Sequence, residues 1–166
     1  MNLLLRLFLM LLAAATTIAS SDVAHAQQTN VPVRVKLNKP LVLALVQPLD
    51  FGTVILSGAA GNETYTISQA GIVTCAAGAT CLGTPQAAMY NVSGSHRQVV
   101  TITVPDFDMV NAGGDAIRFI PDAPTSVTLP NSGNKGTDFS IGGSISVPSD
   151  AQGAYVGTMQ VTAEYQ

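Results

Sequence analysis

The feature that most constrains the fold is a two-residue alternation of apolar and polar side chains, repeated in short runs along most of the chain. Val31, Val33, Val35 and Leu37 alternate with Pro32, Arg34 and Lys36. Leu41, Leu43 and Leu45 follow, after a break at Asn38, Lys39 and Pro40. Further runs are carried by Tyr65 and Ile67, by Val100, Ile102 and Val104, and by Phe139, Ile141, Ile145 and Val147. The last is Tyr155, Met159, Val161, Ala163 and Tyr165. Successive side chains on a strand point to opposite faces, so each run buries one face and wets the other. Turn-forming residues separate the runs at 57–62, 111–115, 131–136 and 149–153. Many short strands with such punctuation predict an all-β fold, an immunoglobulin-like antiparallel β-sandwich, with a closed barrel as the runner-up.

The first 26 residues are of another kind. Arg6 precedes an apolar run over 7–19, and Ala24, His25 and Ala26 form a small-x-small site. These are the marks of a secretory signal peptide, and the run is short for a membrane span. Export with cleavage after Ala26 is the expectation. It leaves an N-terminal extension over 27–37 and a sandwich domain over 38–166, with no transmembrane span in the mature chain. Only 10% of the residues are charged, against about a quarter in ordinary domains, and the net charge is −3. The basic residues are scattered and form no stripe, so nucleic acid is a poor partner.

The two cysteines, Cys75 and Cys81, are expected to form a disulfide in an oxidising compartment. Closing so short a loop stabilises by roughly 2 kcal/mol in the chain-entropy view. Redox chemistry would want a C-x-x-C pair, and zinc would want more ligands. Hydrolysis by a triad needs nucleophile, base and orienting group together. Beyond the signal the chain has one histidine, His96, which reads as a turn residue between two strands. The stretch 106–115 is the densest acidic cluster. An EF-hand would place Asp or Asn where Val110 stands, so the stretch reads as a solvated loop. No catalytic residue, metal site or cofactor is expected, and the chain reads as a non-enzyme.

Four pieces carry a resemblance to a known group: Pro48-Leu-Asp-Phe-Gly-Thr-Val54; Tyr90-Asn-Val-Ser-Gly94 with Val100-Thr-Ile-Thr-Val-Pro105; Ile141-Gly-Gly-Ser-Ile-Ser-Val-Pro148; and Gly153 through Gln166 with its penultimate Tyr165. In that order they resemble the small exported subunits of chaperone–usher fimbriae, spore-coat-U-like pilins included. They are most similar to a related bacterial family described as a domain of unknown function. The close spacing of Cys75 and Cys81 departs from pilins that tie distant strands.

The resemblance implies a sandwich lacking its last strand, completed by the N-terminal extension of a neighbouring, identical or related subunit. Main-chain bonds then give affinity and alternate side chains fill pockets. Val31, Val33, Val35 and Leu37 are the candidate donor residues. Burying four such side chains contributes about 6–12 kcal/mol gross, at ~1.5–3 each. Pairing of the same residues with their own sheet fits the alternation equally well. The resemblance also implies that a strand over 155–165, with Tyr155, Met159, Val161, Ala163 and Tyr165, borders the gap. A periplasmic chaperone would pair with this strand before an outer-membrane usher. It implies passage through the periplasm to the cell surface or beyond. A self-contained sandwich binding a ligand or glycan through its loops is the alternative. Mass spectrometry of the exported chain should find Gln27 as its first residue; a chain retaining residues 1–26 would show an uncleaved anchor.

Overall fold

The computed structural model describes residues 29–132 and 134–166. The expected signal segment, with Ala24 and Ala26, lies outside the described residues. The chain divides into two units, residues 1–36 and 37–166. Of the first unit, residues 29–36 carry no strand, and Val31, Val33 and Val35 are exposed. The strand expected over 31–37 is therefore absent from the single chain.

The second unit is all-β and antiparallel throughout, with no helix among the described residues. Its strands are β1 (Val42–Gln47), β2 (Thr53–Ile55), β3 (Asn62–Ile67), β4 (Val73–Thr74), β5 (Thr80–Leu82) and β6 (Ala88–Ser93). There follow β7 (Val99–Thr103), β8 (Phe107–Val110), β9 (Ala116–Asp122), β10 (Ser126–Thr128), β11 (Thr137–Pro148) and β12 (Thr162–Tyr165).

β11 organises the fold. Its first half pairs with β6, and β6 with β1. In its second half Ser144 and Ile145 pair with Thr66 and Tyr65 of β3 and also with Ile120 and Phe119 of β9, so β3 and β9 flank it on opposite edges. β4 extends β3, and β8 extends β9. A separate sheet runs β10-β7-β12, and β2 pairs with β5.

Phe139, Ile141, Ile145 and Val147 alternate along β11 and are all buried, so the strand presents one apolar face along its length. The first two join Ala88, Val92, Val100, Ile102, Val127 and Leu129 in a core between the large sheet and β10-β7-β12. The last two join Tyr65, Ile117 and Phe119 in a second cluster. Aromatic contacts hold this cluster: Phe119 lies 5.0 Å from Phe107 and 6.2 Å, edge on, from Phe51. The Cys75–Cys81 disulfide is formed and packs beside it, with Cys81 opposite Val54 in the β2–β5 pair. The result is sandwich-like and curled.

Two sequence readings need correction. The run 155–165 forms a strand only over its last four residues. Its partner β7 ends at Thr103, and Pro105 beyond it has no N–H to offer a ladder. Val156 instead bridges to Val110, at 2.9 and 3.0 Å. The acidic stretch 106–115 is also more than a loop. Phe107 and Met109 turn inward from β8 while Asp106 and Asp108 face out and bind Arg118 of β9 at 3.5 and 3.2 Å. The outward carboxylates hid a two-residue alternation.

Tyr165 closes one end of the first core. Its hydroxyl accepts from the Ser95 N–H and donates to the Lys39 carbonyl, both at 2.7 Å. Gly94 is required beneath it, because a Cβ there would collide with the hydroxyl and lie 2.9 Å from Leu41. Tyr165→Phe should lower stability by about 1–3 kcal/mol, two hydrogen bonds of ordinary worth, read as a shift in urea midpoint with unchanged slope.

Candidate functional site

The three-stranded sheet covers only the first half of the apolar face of β11. Over the second half lies an open groove of about 800 Å³. Its floor is Ile117, Phe119, Ile145 and Val147, from β9 and β11. One wall is the end of β1 and the segment after it, including Leu45, Leu49, Phe51 and Val54; Phe107 and Met109 of β8 also line it. The other wall is the irregular segment 151–159, with Tyr155 and Met159 turned in. Among its described lining residues Asp50 is the only charged one.

Local sequence explains the opening. Gly157 lies against Phe107 and Met109, and a Cβ there would press on the Phe107 ring and come 3.0 Å from Met109. The segment therefore runs close to β8 as bare backbone and adds little side-chain cover. The Tyr155 hydroxyl accepts a 3.3 Å bond from Asn111 Nδ2. Phe51, Phe107, Met109, Tyr155 and Met159 stay half-buried, and Leu45 is 58% exposed.

Of the unpaired strand edges, that of β1 reaches the groove through Leu45, whereas that of β12 borders the first core. β1 ends the large sheet, and β12 ends the small one. Leu41 and Leu43 at β1, and Val161 and Ala163 at β12, pack against the same first core. β1 bears no charged side chain, and Val42, Leu45 and Val46 are exposed along it.

Of the residues singled out in the sequence, Tyr155 and Met159 line the groove, whereas Val161, Ala163 and Tyr165 support the neighbouring core. Val31, Val33, Val35 and Leu37 are all exposed, Leu37 in the second unit. Sequence reasoning missed Phe51, Phe107, Met109 and Phe119; the alternation Phe107-Asp108-Met109 was the available signal. His96 sits in a turn, as read. Among the described residues no group of three or more His, Cys, Asp or Glu side chains is placed to hold a metal, and no helix is long and apolar enough to cross a membrane.

A buried polar cluster anchors the second core. Ser57 Oγ and Tyr65 Oη both donate to the Glu63 carboxylate, and the Ser57 N–H adds a bond of 2.9 Å. The hydrogen bonds from Ser57 and then Tyr65 hold the Glu63 carboxyl below its ordinary value of 4.5. Burial, reinforced by Glu63, pushes the Tyr65 phenol up to about 12. Burial also raises the Tyr90 phenol at the groove.

Residues 41–165 match a family described as a domain of unknown function, DUF4402. No curated protein and no solved structure matches the chain.

The Glu63 cluster sets a pH dependence. A depressed carboxyl adds stability above its unfolded pKa, and this is lost as pH falls through the folded value. The raised Tyr65 adds stability below about 10, lost as pH rises toward about 12. The melting temperature should therefore fall below about pH 4.5 and above about pH 10, and Glu63→Gln should flatten the acid limb.

Proposed function

The chain belongs to the DUF4402 family, and from that premise we propose that it is an exported structural subunit of a fimbria-like or surface assembly, polymerising by donor-strand addition. The observation that carries this reading is the open groove over the second half of β11, with an unpaired edge beside it at β1, whose Leu45 lines the groove. A strand entering there would find apolar floor for alternate side chains and free backbone groups for its main chain.

The leader offers such a strand. Val31, Val33, Val35 and Leu37 are spaced to fill alternate pockets, and none is committed to a strand in the single chain. Pro40 stands between this segment and β1, and proline favours a strand end. On this reading the chain is not an enzyme. It passes through the periplasm with a chaperone covering the groove, and an usher delivers it to the cell surface, its partners being identical or related subunits. This is the finer, chaperone–usher likeness carried over from the sequence.

The exported chain should form concentration-dependent oligomers in sedimentation velocity. Deleting residues 27–37 should leave a body that accepts a leader but cannot donate one. Val33→Asp should block assembly by at least tenfold while far-ultraviolet dichroism stays unchanged, since an uncompensated charge is costly to bury. Equally stable monomers with and without the leader would overturn the reading and favour a self-contained sandwich that binds a small ligand. Unfolding of Val33→Asp would show that the leader pairs with its own sheet.

A further inference from the structure

We infer that the groove recognises its occupant by charge as well as by shape, and that the occupant is the leader of a second copy of this chain, whose cationic face meets an acidic rim. The inference rests on the donor-strand reading and adds the partner's identity to it.

The register of β11 defines two ends of the second unit. At its Thr137 end lie the loops 38–41, 93–98 and 130–136, since Thr137 pairs with Val92, Val42 with Ser93, and Leu129 bonds Gln98. These loops hold Lys39, Arg97 and Lys135, three of the four basic residues in 37–166. The half built on the other end of β11 holds the fourth, Arg118, among exposed Asp50, Asp106, Asp108, Asp115, Asp122 and Asp150. Asp138 and Glu164 also lie toward the Thr137 end, so that end is weakly charged overall and the acidic excess is concentrated on the other half.

The acidic half is the half with the groove. Asp50 lines it and Asp150 adjoins the lining residue Ala151, whereas Asp106 and Asp108 face out, on the side of β8 away from Phe107. Arg118 pairs with Asp106 and Asp108, and among the described residues neither Asp50 nor Asp150 is in an ion pair, so the rim stays negative. On a strand that turns Val33 and Val35 inward, Arg34 and Lys36 point the other way. Their long stems can lean along the strand and place the cation at the rim. A small apolar ligand would gain nothing from these carboxylates. A second copy brings both the valines and the two cations.

Rim pairs of this kind act mainly on association rate, and their effect falls steeply with ionic strength. The test is the rate of self-association of the full exported chain, followed by light scattering. Between about 10 and about 150 mM salt the screening length shrinks from ~30 to ~8 Å. The rate should fall about tenfold or more over that range. The double variant Arg34→Glu/Lys36→Glu should assemble about tenfold more slowly at low salt. Adding Asp150→Lys to it should recover part of the rate, and dichroism checks the fold. A leader-dependent assembly whose rate ignores salt and both sets of substitutions would overturn the charge inference and leave the donor-strand reading standing. Absence of assembly in every variant would overturn both.

Discussion

The apolar face of β11 is the constraint on which the rest depends. One strand of twelve residues supplies the centre of two clusters, Phe139 and Ile141 in the first, Ile145 and Val147 in the second. The only full layer opposite it, β10-β7-β12, reaches the first cluster. Everything over the second is improvised from short pieces: the β2–β5 pair with its disulfide, β8 folded in beside β9, and the irregular segment 151–159. Packing to crystal-like density is the norm in protein interiors. Here the floor of the second cluster is buried, whereas Phe107, Met109, Tyr155 and Met159 above it stay half-buried.

The stability of such a half-roofed cluster comes from beneath and from the sides. Tyr65 is 1% exposed with its hydroxyl satisfied by Glu63, and Ser57 completes that carboxylate's shell. A buried acid is costly unless its bonds are made, and no buried side-chain nitrogen or oxygen among the described residues lacks a partner. The polar cluster therefore fixes β3 under the groove without filling it. The Cys75–Cys81 loop does the same at the flank by limiting the freedom of a segment that meets the core through small side chains, Cys75, Ala76, Ala79 and Cys81.

How much of this was legible follows from where the alternation was clean. β3, β7 and β11 show it plainly in Tyr65 and Ile67, Val100 and Ile102, and Phe139 through Val147, and these form the two cores. The all-β class was readable for the same reason, and the disulfide from the presence of two cysteines, Cys75 and Cys81, in a chain with an export-type leader. The groove was not. Its wall depends on Gly157 approaching β8 and on β12 starting only at Thr162, which are facts about partner length rather than local pattern. Phe107 and Met109 were masked because charge density drew the eye to Asp106 and Asp108. Phe51 follows a turn residue, Asp50, that caps Gly52 N at 2.8 Å and so looked like loop.

The edges carry the last step. Proteins ordinarily guard exposed strand edges with lysines, prolines or bulges, because an open edge templates association. β1 has a single irregularity, between Leu45 and Gln47, and otherwise presents an uncharged edge with Val42, Leu45 and Val46 exposed. The chain has basic residues to spend on that edge and places them in the loops at one end instead. An edge left unguarded beside an unroofed apolar floor is a liability for a solitary molecule and a docking surface for an assembling one. The proposed reading resolves that tension with one device. Residues 31–37 form no strand in the single chain, which on that reading leaves them free to join a neighbour's sheet. On the proposed reading the acidic half gives a cationic leader a direction of approach, which repetition of an apolar strand alone would leave undetermined.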